Sequence, residues 1–190
     1  ENLGLEGTKV KVEKTHIVID PYGFTGEPNV YAIGDVAGPP WLAHKAMHEG
    51  VLVVEKIAGV KGVHPMNTAN IPGCTYCQPQ VASIGLTEAA AKAKGLAIKV
   101  GKFPFQANSK ATILGSHDGF VKIVADAKYG EILGVHIIGP EAFELIGQAV
   151  AAMEAEATID VMASTIHAHP TIYEAVGEAY NNVYGMAINV

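Results

Sequence analysis

The sequence contains no arginine: all 13 basic residues are lysine, set against 19 acidic ones, for a formal net charge of −6 at pH 7. That balance excludes the basic stripe with which nucleic-acid binders neutralise phosphates. It also excludes phosphate clamps built from guanidinium forks. Cysteine is nearly absent, with only Cys74 and Cys77, too few for a stapled secreted scaffold, so an intracellular compartment is expected. No apolar run approaches the roughly 20 residues of a membrane-spanning helix, and no signal-peptide pattern stands at the start. A soluble chain is expected, with small-molecule or protein partners in place of nucleic acid or membrane.

What is present is apolar. Such residues make up 49% of the 190, enough for one large domain or two small ones with a real core. Short alternating stretches around Val10, Val12 and His16 to Asp20 are followed by turn residues at Pro21, Gly23, Gly26 and Pro28. Val30, Tyr31, Ala32 and Ile33 read as a buried strand ended by Gly34 and Asp35. Small or apolar residues at 43, 46, 47, 50, 51, 54, 57 and 58 have helical spacing, with Gly59 where a C′ residue belongs. The polar, turn-rich stretch 65–72 reads as a boundary. Beyond it, strands are expected over 81–86, 98–105, 120–125 and 132–138, with a short helix begun by Thr87 and a hairpin turn over 126–130. Two helices close the chain, one carrying Phe143, Ile146, Ala149, Val150 and Met153 on a stripe, the other Ile172, Ala175, Val176, Ala179 and Val183. Strands first and helices after is an α+β pattern.

Four stretches in order resemble the flavin-dependent pyridine nucleotide-disulfide oxidoreductases. Tyr31-Ala32-Ile33-Gly34-Asp35-Val36 is similar to the family's second flavin motif, and Leu42-Ala43-His44-Lys45-Ala46 to the segment that follows it. Phe103-Pro104-Phe105 with Ala107-Asn108-Ser109 is similar to the middle of the interface domain. His167-Ala168-His169-Pro170-Thr171 with Glu174 is similar to the C-terminal active-site signature, in the form seen in lipoamide dehydrogenases. The resemblance covers nearly the whole chain. It implies an antiparallel sheet with packed helices over 67–190, the dimerisation domain. Before it, 1–66 would be the end of the NAD domain and the C-terminal segment of the FAD-binding domain. The family's Gly-x-Gly-x-x-Gly fingerprints and Cys-x4-Cys redox pair do not occur here, so the chain is expected to be an incomplete enzyme that binds no cofactor by itself.

The resemblance implies roles. A dithiol must lose a proton before its thiolate can attack a disulfide; His169 would take that proton and Glu174 would orient the imidazole. Gly34, Asp35, Leu42, Ala43 and His44 would contact FAD: Asp35 would accept from ribityl hydroxyls, and the other residues would offer backbone groups and a helix start. The whole protein would oxidise dihydrolipoamide and reduce NAD+, as a cytoplasmic (or mitochondrial matrix) homodimer serving the lipoyl domains of 2-oxo-acid dehydrogenase complexes. A module that only dimerises, or the equivalent part of a related disulfide reductase, is the alternative. Plainer roles stand beside these. Thr171 to Glu174 also fits a capping box, compatible with orienting His169; Asp35 also suits an Asx turn or helix cap; His167 reads as a packed structural residue. Trp41 stands where lipoamide dehydrogenases commonly show Met. Cys74 and Cys77 lack the two further ligands a zinc site needs, and His44, His48 and Glu49 are a weak metal pattern; no metal is expected.

Overall fold

In the computed structural model, which describes residues 2–189, the chain divides between Thr68 and Ala69 into two compact units. The first is sparing in regular structure. Strands β1 (Val12–Glu13) and β2 (His16–Ile17) pair antiparallel through Lys14 and Thr15, both at positive φ. This is the twist a two-residue hairpin loop needs, here without the Gly or Asn that adopts it most easily. The Asp20 carboxylate accepts from the backbone N–H groups of Tyr22 and Phe24 at 2.8 and 2.9 Å and folds the next turn.

The strand expected at 30–33 does not form. Tyr31 makes a single antiparallel bridge to Phe24, and of the four residues only Ala32 is buried, with Val30 and Ile33 exposed. Its hydrogen bonds close a tight loop instead: the Ala32 N–H donates to the Gly23 carbonyl and the Thr25 N–H to the Val30 carbonyl. Among the described residues no strand lies beside it to complete a ladder, and apolar character alone does not make a sheet. Gly34, at φ +71°, then turns the chain into a 3-10 helix, Gly34–Ala37.

Helix α1 (Ala43–Ile57) ends as the spacing predicts. Gly59 is left-handed, and the Val60 and Gly59 N–H groups bond back to the carbonyls of Glu55 and Lys56, a Schellman ending. Its buried residues are Lys45, Glu49 and Val53. The apolar residues Met47, Val51, Val54 and Ile57 are exposed.

The second unit is built on a five-stranded sheet of order β3-β4-β7-β6-β5, antiparallel throughout. In chain order the elements are β3 (Gly73–Thr75), β4 (Gln80–Gly85), α2 (Glu88–Ala93), β5 (Ile98–Pro104), α3 (Ser109–Ile113), β6 (Phe120–Asp126), β7 (Ile132–Gly139), α4 (Ala142–Glu154), α5 (Ile159–Ser164) and α6 (Glu174–Asn182). Thr87 caps α2 by accepting from Ala90 N–H at 3.1 Å, which leaves one fewer orphan donor in the first turn. Helix α4 packs on β4 and β7, and α6 on β5 and β6. Between sheet and helices lies one core in which Ile84, Phe103, Val121, Ile123, Val135 and Ile137 meet Ile146, Ala149, Val176, Ala179 and Tyr180. This is the α+β architecture expected from the pattern.

One contact sets where α6 lies, and another anchors the helix before it. Gly101 of β5 has no side chain because a Cβ there would sit 2.1 Å from the Ala179 carbonyl oxygen; the helix backbone lies directly on the strand. Helix α5, which the periodicity does not announce, is tied to the β6–β7 turn by the Ile159 N–H donating to the Gly130 carbonyl at 2.8 Å, with Ile159 and Met162 buried. The segment from α5 to α6 carries His167 and His169.

Candidate active-site elements

His169 stands on that segment, just before α6. Its Nδ1 lies 2.9 Å from Glu174 Oε1, while the other carboxylate oxygen, Oε2, accepts from the Thr171 backbone N–H at 2.8 Å. The Thr171 hydroxyl donates to the Ala168 carbonyl. Glu174 thus makes the reaching-back half of a capping box while the Thr171 hydroxyl is spent elsewhere, and the same carboxylate holds the imidazole. The His169 side chain is 72% exposed and that of Glu174 29%. Burial pushes the Glu174 pKa up, but the Thr171 N–H, the His169 hydrogen bond and the charges of His169 and His167 outweigh it, and the net shift is downward. An ionised Glu174 favours the tautomer with hydrogen on Nδ1, leaving Nε2 as a base facing solvent.

A residue whose role the spacing does not disclose supports this turn. Asn108 is 4% exposed. Its Nδ2 donates to the Thr171 carbonyl at 3.1 Å, and its Oδ1 accepts from Ala111 N–H at 2.8 Å, capping α3. One amide therefore joins the start of α3 to the turn that carries the His–Glu pair. The only sequence signal is Asn before Ser109, an ordinary cap.

His167 is packed. Its ring lies 4.4 Å from that of Tyr173 and its Nε2 is 3.5 Å from Gln148 Nε2. Gln148 Nε2 can donate to His167 Nε2 in the Nδ1–H tautomer, while Gln148 Oε1 is buried without a partner among the described residues. Burial lowers the His167 pKa, with Glu174 pulling it partly back. The Tyr173 and Tyr180 hydroxyls are also buried without a partner among the described residues, and burial drives both far above the ordinary phenol range.

In the first unit Gly34, Asp35, Leu42, Ala43 and His44 fall on the 3-10 helix and the start of α1. Gly34 is buried and left-handed; Asp35 is exposed, and its carboxylate makes no hydrogen bond or ion pair among the described residues. Leu42 at the N-cap offers no side-chain acceptor, so the first-turn N–H groups of α1 retain the positive end of the helix dipole. An exposed carboxylate for hydroxyls, a left-handed Gly34 without a Cβ and a helix start with no side-chain cap fit the polyol of a flavin and the negative charge that its ring gains on reduction. Trp41, 62% exposed, stacks on His16 and donates from Nε1 to His16 Nε2 at 3.2 Å.

The remaining candidates are plainer. Cys74 and Cys77 are free thiols, half-buried and exposed; burial, then the charge of Glu144, raises the Cys74 pKa. Glu49 is turned to Lys45 and the Gly34 backbone, away from any shared site with His44 and His48. Among the described residues no group of three or more His, Cys, Asp or Glu comes together to hold a metal ion, and no helix is long and apolar enough to cross a membrane.

The second unit is thus an antiparallel sheet under helices, with a His–Glu pair at the start of the last one, the arrangement that the resemblance implies for a disulfide reductase's interface domain. The sequence agrees: residues 71–180 match the pyridine nucleotide-disulphide oxidoreductase dimerisation domain and 1–50 match the pyridine nucleotide-disulphide oxidoreductase family, and the chain belongs to this family. Among its relatives, a dihydrolipoyl dehydrogenase of Rhizobium etli is 54% identical over 189 residues, taking in 100% of this chain and 39% of that protein. A dihydrolipoyl dehydrogenase of Zymomonas mobilis is 49% identical over 189 residues, again 100% of this chain and 41% of the relative. The chain thus spans about two-fifths of the length of these relatives. Among solved structures, LpdA from Mycobacterium tuberculosis superposes with a TM-score of 0.87 at 25% identity, over 95% of this chain and 39% of that one. The fold is also that of the HOCl-induced flavoprotein disulfide reductase RclA from Escherichia coli, with a TM-score of 0.81 at 22% identity over 90% of this chain and 40% of that one.

Proposed function

We propose that this chain supplies the acid/base pair, part of the flavin contact and the dimer interface of a dihydrolipoyl dehydrogenase. The observation that carries the reading is the 2.9 Å contact of His169 Nδ1 with Glu174 Oε1, together with the open Nε2. Residues 1–66 belong to the NAD- and FAD-binding region of that enzyme and 67–190 to its interface domain.

In the reaction, a thiol of dihydrolipoamide gives its proton to His169 Nε2. The resulting thiolate attacks one sulfur of the family's redox disulfide, forming a mixed disulfide and releasing the other sulfur as thiolate. The substrate's second thiol gives its proton to the released thiolate and attacks the substrate sulfur of the mixed disulfide, closing the lipoamide ring and expelling the other family sulfur, so that the redox pair is left reduced. Glu174 holds the Nδ1–H tautomer before the transfer and stabilises the imidazolium after it. Its lowered pKa keeps it anionic throughout at neutral pH. FAD, when bound, carries the electron pair on to NAD+. Asp35 would accept from its ribityl hydroxyls, Gly34 would admit close approach, and Leu42, Ala43 and His44 would offer the ring the start of α1.

The redox disulfide addressed by His169 is that of a second subunit. Ile166 is 96% exposed beside His169, and Val161 is 53% exposed; burying such side chains is what an isologous interface does. Lipoyl domains of 2-oxo-acid dehydrogenase complexes are the substrates in this reading, and the setting is cytoplasmic. The test is His169→Gln in the flavin-loaded dimer. Dihydrolipoamide turnover should fall by roughly 10²–10⁴ with the flavin absorbance retained; near-normal turnover removes His169 from the chemistry.

A further inference from the structure

Two buried charges on α1 have no part in the chemistry above. Lys45 is 4% exposed and Glu49 9%, and they form an ion pair at 2.9 Å between Nζ and Oε1. Buried ion pairs are a poor way to stabilise a fold, because desolvation offsets most of the attraction; well-packed apolar residues of similar size often do better. The burial of the two charges therefore calls for a reason other than stability.

The reason lies in where the remaining valences go. Glu49 Oε2 accepts from the Gly34 backbone N–H at 2.6 Å. Lys45 Nζ donates to the Gly38 carbonyl at 2.9 Å and the Gly34 carbonyl at 3.3 Å. With the Glu49 contact, all three ammonium donors are used. Every polar contact that the pair makes outside itself is to the backbone of one short turn, at its first residue and just past its last. The turn has little else to hold it: Ile33 gives no side-chain cap, and its internal bond from Gly38 N–H to the Asp35 carbonyl is 3.2 Å. Ala46, on the same helix, would be 3.2 Å from a Cβ at Gly34, so the turn is pressed onto α1 as well as bonded to it.

We infer that Lys45 and Glu49 are positioning residues that preform the Gly34–Ala37 turn and aim the exposed Asp35 carboxylate at the flavin. The inference rests on the flavin reading of Asp35 given above. Neither residue touches the cofactor. Each acts through the backbone, and the gain is that the ligand meets a turn already in its bound shape.

The test separates positioning from stability. Lys45→Met/Glu49→Leu replaces the pair by apolar residues of similar volume, and Glu49→Gln is a milder second variant. In the apo chain, amide exchange at Gly34 should accelerate at least tenfold in the double variant, while its urea midpoint stays level or rises. In the flavin-loaded protein, FAD affinity, read from flavin fluorescence, should fall about tenfold if the held turn drops to about a tenth of the ensemble. Slow Gly34 exchange with unchanged FAD affinity in both variants would overturn the inference. So would a loss of FAD affinity only in step with global unfolding. If the unmodified protein took up no FAD through this turn, the flavin reading would fail, and Gly34 exchange would still decide whether the pair holds the turn.

Discussion

Glu174 shares its two oxygens between the imidazole of His169 and the backbone of Thr171, so one carboxylate fixes both the ring and the loop that bears it. A capping residue and an orienting residue are here the same residue. The position of the base is therefore coupled to the start of α6, which lies directly against β5 at Gly101.

The dual role predicts that Glu174→Gln is milder than His169→Gln. A glutamine can still accept from Thr171 N–H and face Nδ1 but offers no charge to the imidazolium. Turnover of the flavin-loaded protein should fall about a hundredfold with little loss of fold. Wild-type turnover would show that the carboxylate charge is not used.

The same residue gives a pH dependence with a definite sign. The folded pKa of Glu174 lies below its ordinary value, so the pair's contribution is fully present above the unfolded carboxylate range, about 4.3. It is lost as pH falls through the depressed folded value. The stability difference between wild type and Glu174→Gln, measured by urea unfolding, should be constant near neutrality and shrink on acidification below about pH 4. A difference that grows in acid would contradict it.

Asn108→Ala should cost about 2 kcal/mol, since it removes a helix cap and leaves the Thr171 carbonyl without its donor. Asn108→Ser restores the cap alone and should recover about half. Chemical denaturation of the three proteins decides it; a serine variant as stable as the wild type would mean that the bond to Thr171 contributes nothing.

Two glycines make a contrasting pair. Gly101→Ala forces a Cβ against the Ala179 carbonyl at 2.1 Å and should destabilise by about 1–3 kcal/mol. Gly147→Ala, in the interior of α4 with nothing within 4 Å, should stabilise by roughly 0.5–1 kcal/mol. Thermal unfolding of both variants tests the close approach of α6 to the sheet; similar effects would deny it.

Much of this was legible because it is local. Thr87 capping α2, the Asp126 turn between β6 and β7, and Gly59 ending α1 are each written in adjacent residues. What was not legible is non-local or contrary to the usual code. The strand expected from Val30 to Ile33 has no neighbour to pair with among the described residues, and its apolar run does not show whether a second strand lies beside it. Lys45 stands in the sequence only within a resembling segment and Glu49 only in a weak metal pattern, yet both are buried, and the bonds that explain this run to a turn outside the helix. Asn108 reaches a carbonyl 63 positions away, a link with no local signature. Helix α5 is too short for a periodicity to show, and its anchor is a carbonyl at Gly130.

The strand order has a kinetic meaning. β3–β4, β5–β6 and β6–β7 each join strands that are consecutive in the chain, whereas β4–β7 closes a long excursion through α2, β5, α3 and β6. The entropy of that closure favours forming the local pairs before the β4–β7 seam. Until it forms, β4 and β7 both carry open edges able to pair with another chain. Helix α4 follows β7 directly and packs on both strands, so the seam is stabilised by the next segment to leave the ribosome. In an α+β chain that makes its strands before its last helices, the interval between the end of β7 and the completion of α4 is when aggregation competes with folding.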